Sequence, residues 1–83
     1  MAIRFHPHAL ERMDQRGATE QEVIVTVETG ELFNAKFNRT GFRRNFAFEK
    51  QWRGKHYETK QVEAYAVQEN DDWLVISVIT RYF

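Results

Sequence analysis

Apolar and polar positions along the chain change period once, near Gly30. Before it, apolar residues recur at helical spacing; after it they alternate at a period of two. The segment from Pro7 to Arg16 reads as a helix that Gly17 stops. Pro7 suits the first helical position, because its φ is already helical and its missing N–H would have had no partner there. Ala9, Leu10 and Met13 form the stripe expected to face a core. Thr19-Glu20-Gln21-Glu22 matches the capping box, in which a hydroxyl reaches forward and a glutamate reaches back. A second helix is therefore predicted from about Glu20 to Thr29, closed by Gly30. The β-branched run from Val23 to Val27 favours a strand by propensity, but the stop and start signals at both ends decide for helix. Joined at Gly17-Ala18-Thr19, the two segments predict a compact helical hairpin.

Beyond Gly30, Glu31 to Phe37 reads as a first strand. Gly41 to Lys50 follows, with Phe42, Phe46 and Phe48 sharing one face. Gln51 to Lys55 has turn character around Gly54. His56 to Gln68 reads as a long strand, and Glu69-Asn70-Asp71-Asp72 as the next turn. Trp73 to Tyr82 is apolar on both faces, which places a strand inside a sheet and not at its edge. The expected fold is α+β: two N-terminal helices packed on one face of a three- or four-stranded antiparallel β-sheet, in a single domain spanning residues 1–83.

Composition narrows the setting. A chain of 83 residues buries only about 60% of the surface its unfolded form exposes, so its core is small. Seven Phe, three Tyr and two Trp supply bulky filling for it. Cysteine is absent, which fits a reducing compartment, and Met1 to Phe5 lacks the apolar run of a signal peptide. A cytoplasmic protein without membrane attachment is expected. Net charge is zero, yet it is distributed unevenly. Residues 1–35 carry −3, residues 36–60 carry +6 and residues 61–83 carry −3. A basic middle between acidic ends predicts one electropositive region, or solvated strand faces and loops.

Few residues can carry chemistry. His6, His8 and His56 are the only nitrogen ligands, and no thiolate accompanies them, so no metal and no cofactor is expected. Ser77 is the single serine and sits mid-strand, outside any nucleophile context. The remaining candidate is the first helix, where His8, Arg12 and Arg16 stand at i, i+4 and i+8 and stack along one side, drifting about 80°. That row borders the apolar stripe and so belongs at the rim of the helix–sheet groove. An imidazole can move a proton near neutral pH. Guanidinium groups can hold phosphate oxygens and stabilise charge developing on them. Equally, Glu11 and Asp14 could pair with these arginines as ordinary surface charges.

The string from His8 through Arg12, Arg16 and Gly17 to Thr19 and Val23 resembles the N-terminal signature of a family of small bacterial proteins, domain of unknown function 4258. The apolar strand closing on Thr80-Arg81-Tyr82 resembles the family's C-terminal end, although Ala18 stands where isoleucine is commoner, and Arg81 is an additional residue. The resemblance implies a relation to the ribonuclease and toxin superfamily of barnase, EndoU, the colicin ribonucleases and RelE. It further implies a metal-independent, toxin-type endoribonuclease. His8 would act as general base on a ribose 2′-hydroxyl, Arg12 and Arg16 would clamp the phosphate, and a 2′,3′-cyclic product would result. Tyr82 would stack on a base or orient the phosphate, and Thr80 would hydrogen-bond to it. Arg43, Arg44, Arg53 and Lys55 would form the nucleic-acid approach surface. RNA, in some members ribosome-associated, and a cognate antitoxin or immunity protein are the implied partners. The alternatives are a non-catalytic protein-binding or regulatory module, with Phe33, Phe37 and Trp52 as contacts, and an RNA or DNA binder that does not cut.

Overall fold

The computed structural model describes residues 2–83. Met1, part of the segment read above for a signal peptide, lies outside them. In chain order the elements are β1 (Ile3–Phe5), α1 (Pro7–Arg16), α2 (Glu20–Thr29), β2 (Glu31–Asn34), β3 (Thr40–Trp52), β4 (Lys55–Glu69) and β5 (Asp72–Tyr82). The strands form one sheet in the order β1-β5-β4-β3-β2. β1 runs parallel to β5, and every other neighbouring pair is antiparallel. The expected three- or four-stranded antiparallel sheet is thereby corrected to a five-stranded mixed sheet. The missing strand is β1. Three residues are too few to display a period of two, and its partners Trp73 to Val75 lie 70 positions away.

Both helices end where their capping residues place them. Pro7 opens α1, with the His6 ring Nδ1 accepting from the His8 N–H at 3.0 Å, and Gly17 closes it in the left-handed region at φ 76°. At α2 the Thr19 hydroxyl accepts from the Glu22 N–H at 3.1 Å, while the Glu22 carboxylate accepts from the Thr19 N–H at 2.9 Å. These bonds satisfy donors that a strand would have left to a neighbour, which is why the β-branched run is helical. That run buries Val23, Thr26 and Val27. α1 packs on β5, and α2 on β4 and β3.

Two local expectations need correction, and one feature was not foreseen. Leu10 is 41% exposed and stands outside the core, whereas Ala9 and Met13 are buried. The sheet-facing stripe of α1 runs along Ala9 and Met13, and Leu10 lies about 100° round from Ala9. The strand from Glu31 ends at Asn34, and residues 35–39 connect it to β3 through a turn in which Phe37 and Asn38 take positive φ values of 62° and 58°. β3 carries a bulge after Ala47, with Glu49 at φ 47°. The bulge shifts the register so that Lys50 pairs with Tyr57 and Trp52 with Lys55.

The centre of the helix–sheet interface is built from small aliphatics: Val23, Val62, Ala64, Val75 and Val78 are fully buried. Aromatic rings close its two ends. Phe42 meets Trp73 edge-on at 5.1 Å at one end, and Phe48, Trp52 and Tyr57 surround Tyr82 at the other. No helix among the described residues is long and apolar enough to cross a membrane. Replacing Thr19 by alanine removes one half of the capping box and is expected to lower stability by about 1 kcal/mol. A thermal melt should then show a midpoint about 4–8 °C lower.

Candidate functional site

The three residues of the α1 row meet different surroundings, and helix geometry explains the difference. Each step of four residues turns the side chain about 40° further, and here the turn is toward the sheet. His8 is exposed, while Arg12 and Arg16 are half-buried. Arg12 donates through Nε to His8 Nε2 at 3.4 Å and through a terminal nitrogen to the Gln15 side chain at 3.0 Å. In this bond the Nε2 lone pair of His8 is the acceptor. Arg16 donates to the Val78 carbonyl at 2.6 Å. β1 makes its last bond to β5 where the His6 N–H meets the Val75 carbonyl, so beyond Val75 that edge of β5 has no partner strand. Arg16 occupies a carbonyl of this open edge.

Among the described residues none of the three enters an ion pair. The pairs are Arg4 with Glu69 and Asp72, Arg43 with Glu31, Lys60 with Glu22, and Arg81 with Glu63. Glu11 is bonded to Gln15, not to an arginine.

Thr80 and Tyr82 come to the same place as Arg16, but to its backbone. Their hydroxyls donate to the Arg16 carbonyl at 2.9 and 2.7 Å. Lys60 donates to the Gly17 carbonyl and to Glu22, the latter at 2.8 Å. Arg53, from the β3–β4 turn, donates to the Gln15 carbonyl at 2.9 Å. The last carbonyls of a helix have no intrahelical donors, and here side chains from β4, β5 and the turn supply them. Gly17 is required as well. A Cβ there would lie 2.7 Å from the Trp52 ring and 2.8 Å from the Tyr82 hydroxyl.

The basic residues of the middle segment divide between two places. Arg53 and Lys55 stand at the tip of the β3–β4 hairpin beside the carboxyl end of α1. There Arg53 lies 5.1 Å over the Trp52 ring and Lys55 5.5 Å over Tyr57. Trp52 is itself stacked on Tyr82 at 4.9 Å, so aromatic faces and cations alternate on this surface. Arg43 and Arg44 lie elsewhere. Arg43 is held by Glu31 at 2.7 Å on the sheet face away from the helices, and Arg44 donates to the Thr29 hydroxyl at 2.9 Å. The structure therefore brings Arg53 to the carboxyl end of α1, with Lys55 near it on the hairpin tip, and leaves Arg43 and Arg44 elsewhere.

Sequence reasoning passed over Lys60 and gave Trp52 a different place. Lys60 is 5% exposed and anchors both helices. Its signal was parity, since it shares the inward face of β4 with Val62 and Ala64. Trp52 was read as part of a turn and becomes the stacking partner of Tyr82 only through the bulge. Among the described residues no three His, Asp or Glu side chains gather as a metal site would require.

Burial raises the Tyr82 phenol above its ordinary value of 10.0, with the Glu22 carboxylate adding to the effect and Thr80 and Arg53 opposing it. Tyr82 is thus held as a neutral donor.

The family model described as Domain of unknown function (DUF4258) matches residues 5–80. The chain belongs to this family. No curated protein and no solved structure matches it.

Two stability tests follow from the capped helix end. Lys60→Ala leaves the Gly17 carbonyl without its side-chain donor and Glu22 without its cation, and is expected to cost about 3 kcal/mol by urea unfolding. A raised tyrosine pKa means the fold favours the protonated phenol. Its contribution is complete below pH 10.0 and is lost as pH rises through the folded value. The urea midpoint should therefore fall on the alkaline side, and Tyr82→Phe should make that fall shallower.

Proposed function

We propose that the chain is a metal-independent endoribonuclease of the toxin type, related to the RelE and barnase group, acting at the exposed side of α1. The observation that carries this reading is the His8–Arg12 pair: a solvent-open imidazole bonded to a guanidinium, neither of them ion-paired to a carboxylate among the described residues. At 3.4 Å that bond is weak, so an arriving phosphate can draw Arg12 away and free the Nε2 lone pair. His8 then takes the proton of the ribose 2′-hydroxyl. The 2′-oxygen forms a bond to phosphorus as the bond from phosphorus to the 5′-oxygen breaks. The 5′-oxygen takes a proton from solvent, leaving a 2′,3′-cyclic phosphate and a 5′-hydroxyl. Arg12 neutralises charge building on the phosphoryl oxygens.

The remaining candidates divide by role. Arg53 and Lys55 attract the backbone, and Trp52 offers an aromatic face for a base. Arg16, Thr80 and Tyr82 act by fixing the end of α1, since their polar groups already serve the Val78 and Arg16 carbonyls. That same engagement favours a second reading, an RNA binder that does not cut. RNA is the partner in both readings, and a protein that masks the cationic surface would be the antitoxin or immunity partner of the first.

Incubation of a fluorescent single-stranded RNA with the protein in excess EDTA separates them. Cleavage by the wild type with a cyclic phosphate end is expected. His8→Ala should slow it about 10²–10⁴-fold. Arg12→Ala should cost about 10²-fold or more. Salt-sensitive RNA binding without any cleavage would establish the second reading. Neither binding nor cleavage would remove both.

A further inference from the structure

The chain has a second cationic and aromatic feature that the α1 surface does not use. On the sheet face away from the helices, beside β2, lies a groove of about 410 Å³ lined by Phe33, Asn34, Lys36, Phe37, Arg39 and Tyr65, with Ala35 completing it. We propose that this groove binds an unpaired base and its adjoining phosphate in single-stranded nucleic acid, as a subsite separate from the α1 surface. The inference rests on RNA being the ligand of this protein, and not on its being cut.

Phe37 carries the inference furthest. It occupies the first central position of the β2–β3 turn at φ 62°, followed by Asn38 at φ 58°. Two consecutive positive φ values define a turn in which Asn, Asp or Gly is favoured, and a bulky side chain is strained. Phe37 is nevertheless 83% exposed, so the fold buries little of its ring. A large aromatic that is both strained and exposed has a physical return only if something outside the fold covers it. The floor beneath is also aromatic. Phe33 meets Tyr65 edge-on at 5.9 Å, and its ring lies so close over Gly41 that a Cβ there would approach it to 2.3 Å. Tyr65 is fixed in turn by the bond from its hydroxyl to the buried Glu63 at 2.8 Å.

Charge selects the occupant. The lining contains two cations and no carboxylate, and among the described residues neither Lys36 nor Arg39 is ion-paired. The Arg39 guanidinium lies 6.0 Å from the Phe37 ring, and that of Arg43 4.6 Å over Phe33. Aromatic faces alternating with cations along a few residues suit a base stacked on a ring with its phosphate on a neighbouring cation. The volume lies within the range of small-molecule pockets and accommodates one nucleotide. The site is spatially distinct. α1 covers β5, whereas the groove lies beside β2, three strands away and on the opposite face.

The test is an NMR titration of the slow-cleaving His8→Ala protein with a uridine tetranucleotide, repeated with Phe37→Gly added. Amide shifts are expected at Phe33 to Arg39 and at Tyr65, besides any at α1. Phe37→Gly should weaken binding about fivefold to a hundredfold. It should also raise the melting temperature, because glycine accepts the left-handed conformation freely, and so a loss of affinity cannot be ascribed to misfolding. Charge reversal of Lys36 and Arg39 together should weaken binding and reduce the slope of log affinity against log salt by about 0.7, the share of one phosphate. Binding that shifts only α1 and the hairpin tip, with affinity unchanged by Phe37→Gly, overturns the groove and leaves the proposed function standing. No binding anywhere overturns both. Shifts in the groove from an acidic aromatic peptide, with none from the oligonucleotide, overturn the inference in favour of a protein partner.

Discussion

The carboxyl end of α1 is the point on which the arrangement of the molecule depends. A helix of ten residues leaves its last carbonyls without donors, and in a domain this small the cost of burying them unpaired would be a large share of its stability. Lys60 from β4, Thr80 and Tyr82 from β5, and Arg53 from the β3–β4 turn each donate to one of these carbonyls. Because the donors come from separate elements, satisfying one helix end also fixes β4, β5 and the long hairpin relative to α1. The Lys60–Glu22 pair extends the tie to α2, and Trp52 seals it by lying on Tyr82 and Gly17.

The same arrangement sets the electrostatics of the surface above it. Arg53 is drawn to the helix end by the Gln15 carbonyl and Arg16 to the edge of β5 by the Val78 carbonyl, dipoles that orient a guanidinium without neutralising it. Their charge therefore remains available to an anionic ligand, unlike that of Arg43 or Arg81, which face Glu31 and Glu63 directly. His8 and Arg12 stay outside this network because the row on α1 turns away from the sheet toward its N-terminal end. One helix thus provides an anchored end and a free end. The groove beside β2 makes the complementary case, since there Phe37 stands open to solvent and neither Lys36 nor Arg39 is ion-paired among the described residues.

The sheet also shows how short-range and long-range rules share control. The bulge at Glu49 and the left-handed pair Phe37-Asn38 both depart from what side-chain preference favours. The bulge has a structural return, because it brings the hairpin tip onto Tyr82. The strained turn has none inside the molecule, and that difference separates a device of folding from a candidate for recognition.

Local chemistry was sufficient for much of this protein. The bounds of both helices follow from Pro7, Gly17, Thr19, Glu22 and Gly30, because caps act within a few residues. The long strands follow from alternation, because side chains of an extended chain face opposite sides. The placement of His8, Arg12 and Arg16 on one side of a helix follows from the helical repeat alone. Tertiary structure decided the rest. β1 exists only because Trp73 to Val75 offer it a ladder, and the exposure of Leu10 depends on how α1 rotates against β5. That Thr80 and Tyr82 bind the Arg16 carbonyl, and that Arg43 leaves the company of Arg53, are outcomes of packing between residues far apart in sequence. Such contacts have no local signature, since a hydroxyl, a lysine or an arginine is equally suited to water, to a ligand or to a helix end until the fold supplies its partner.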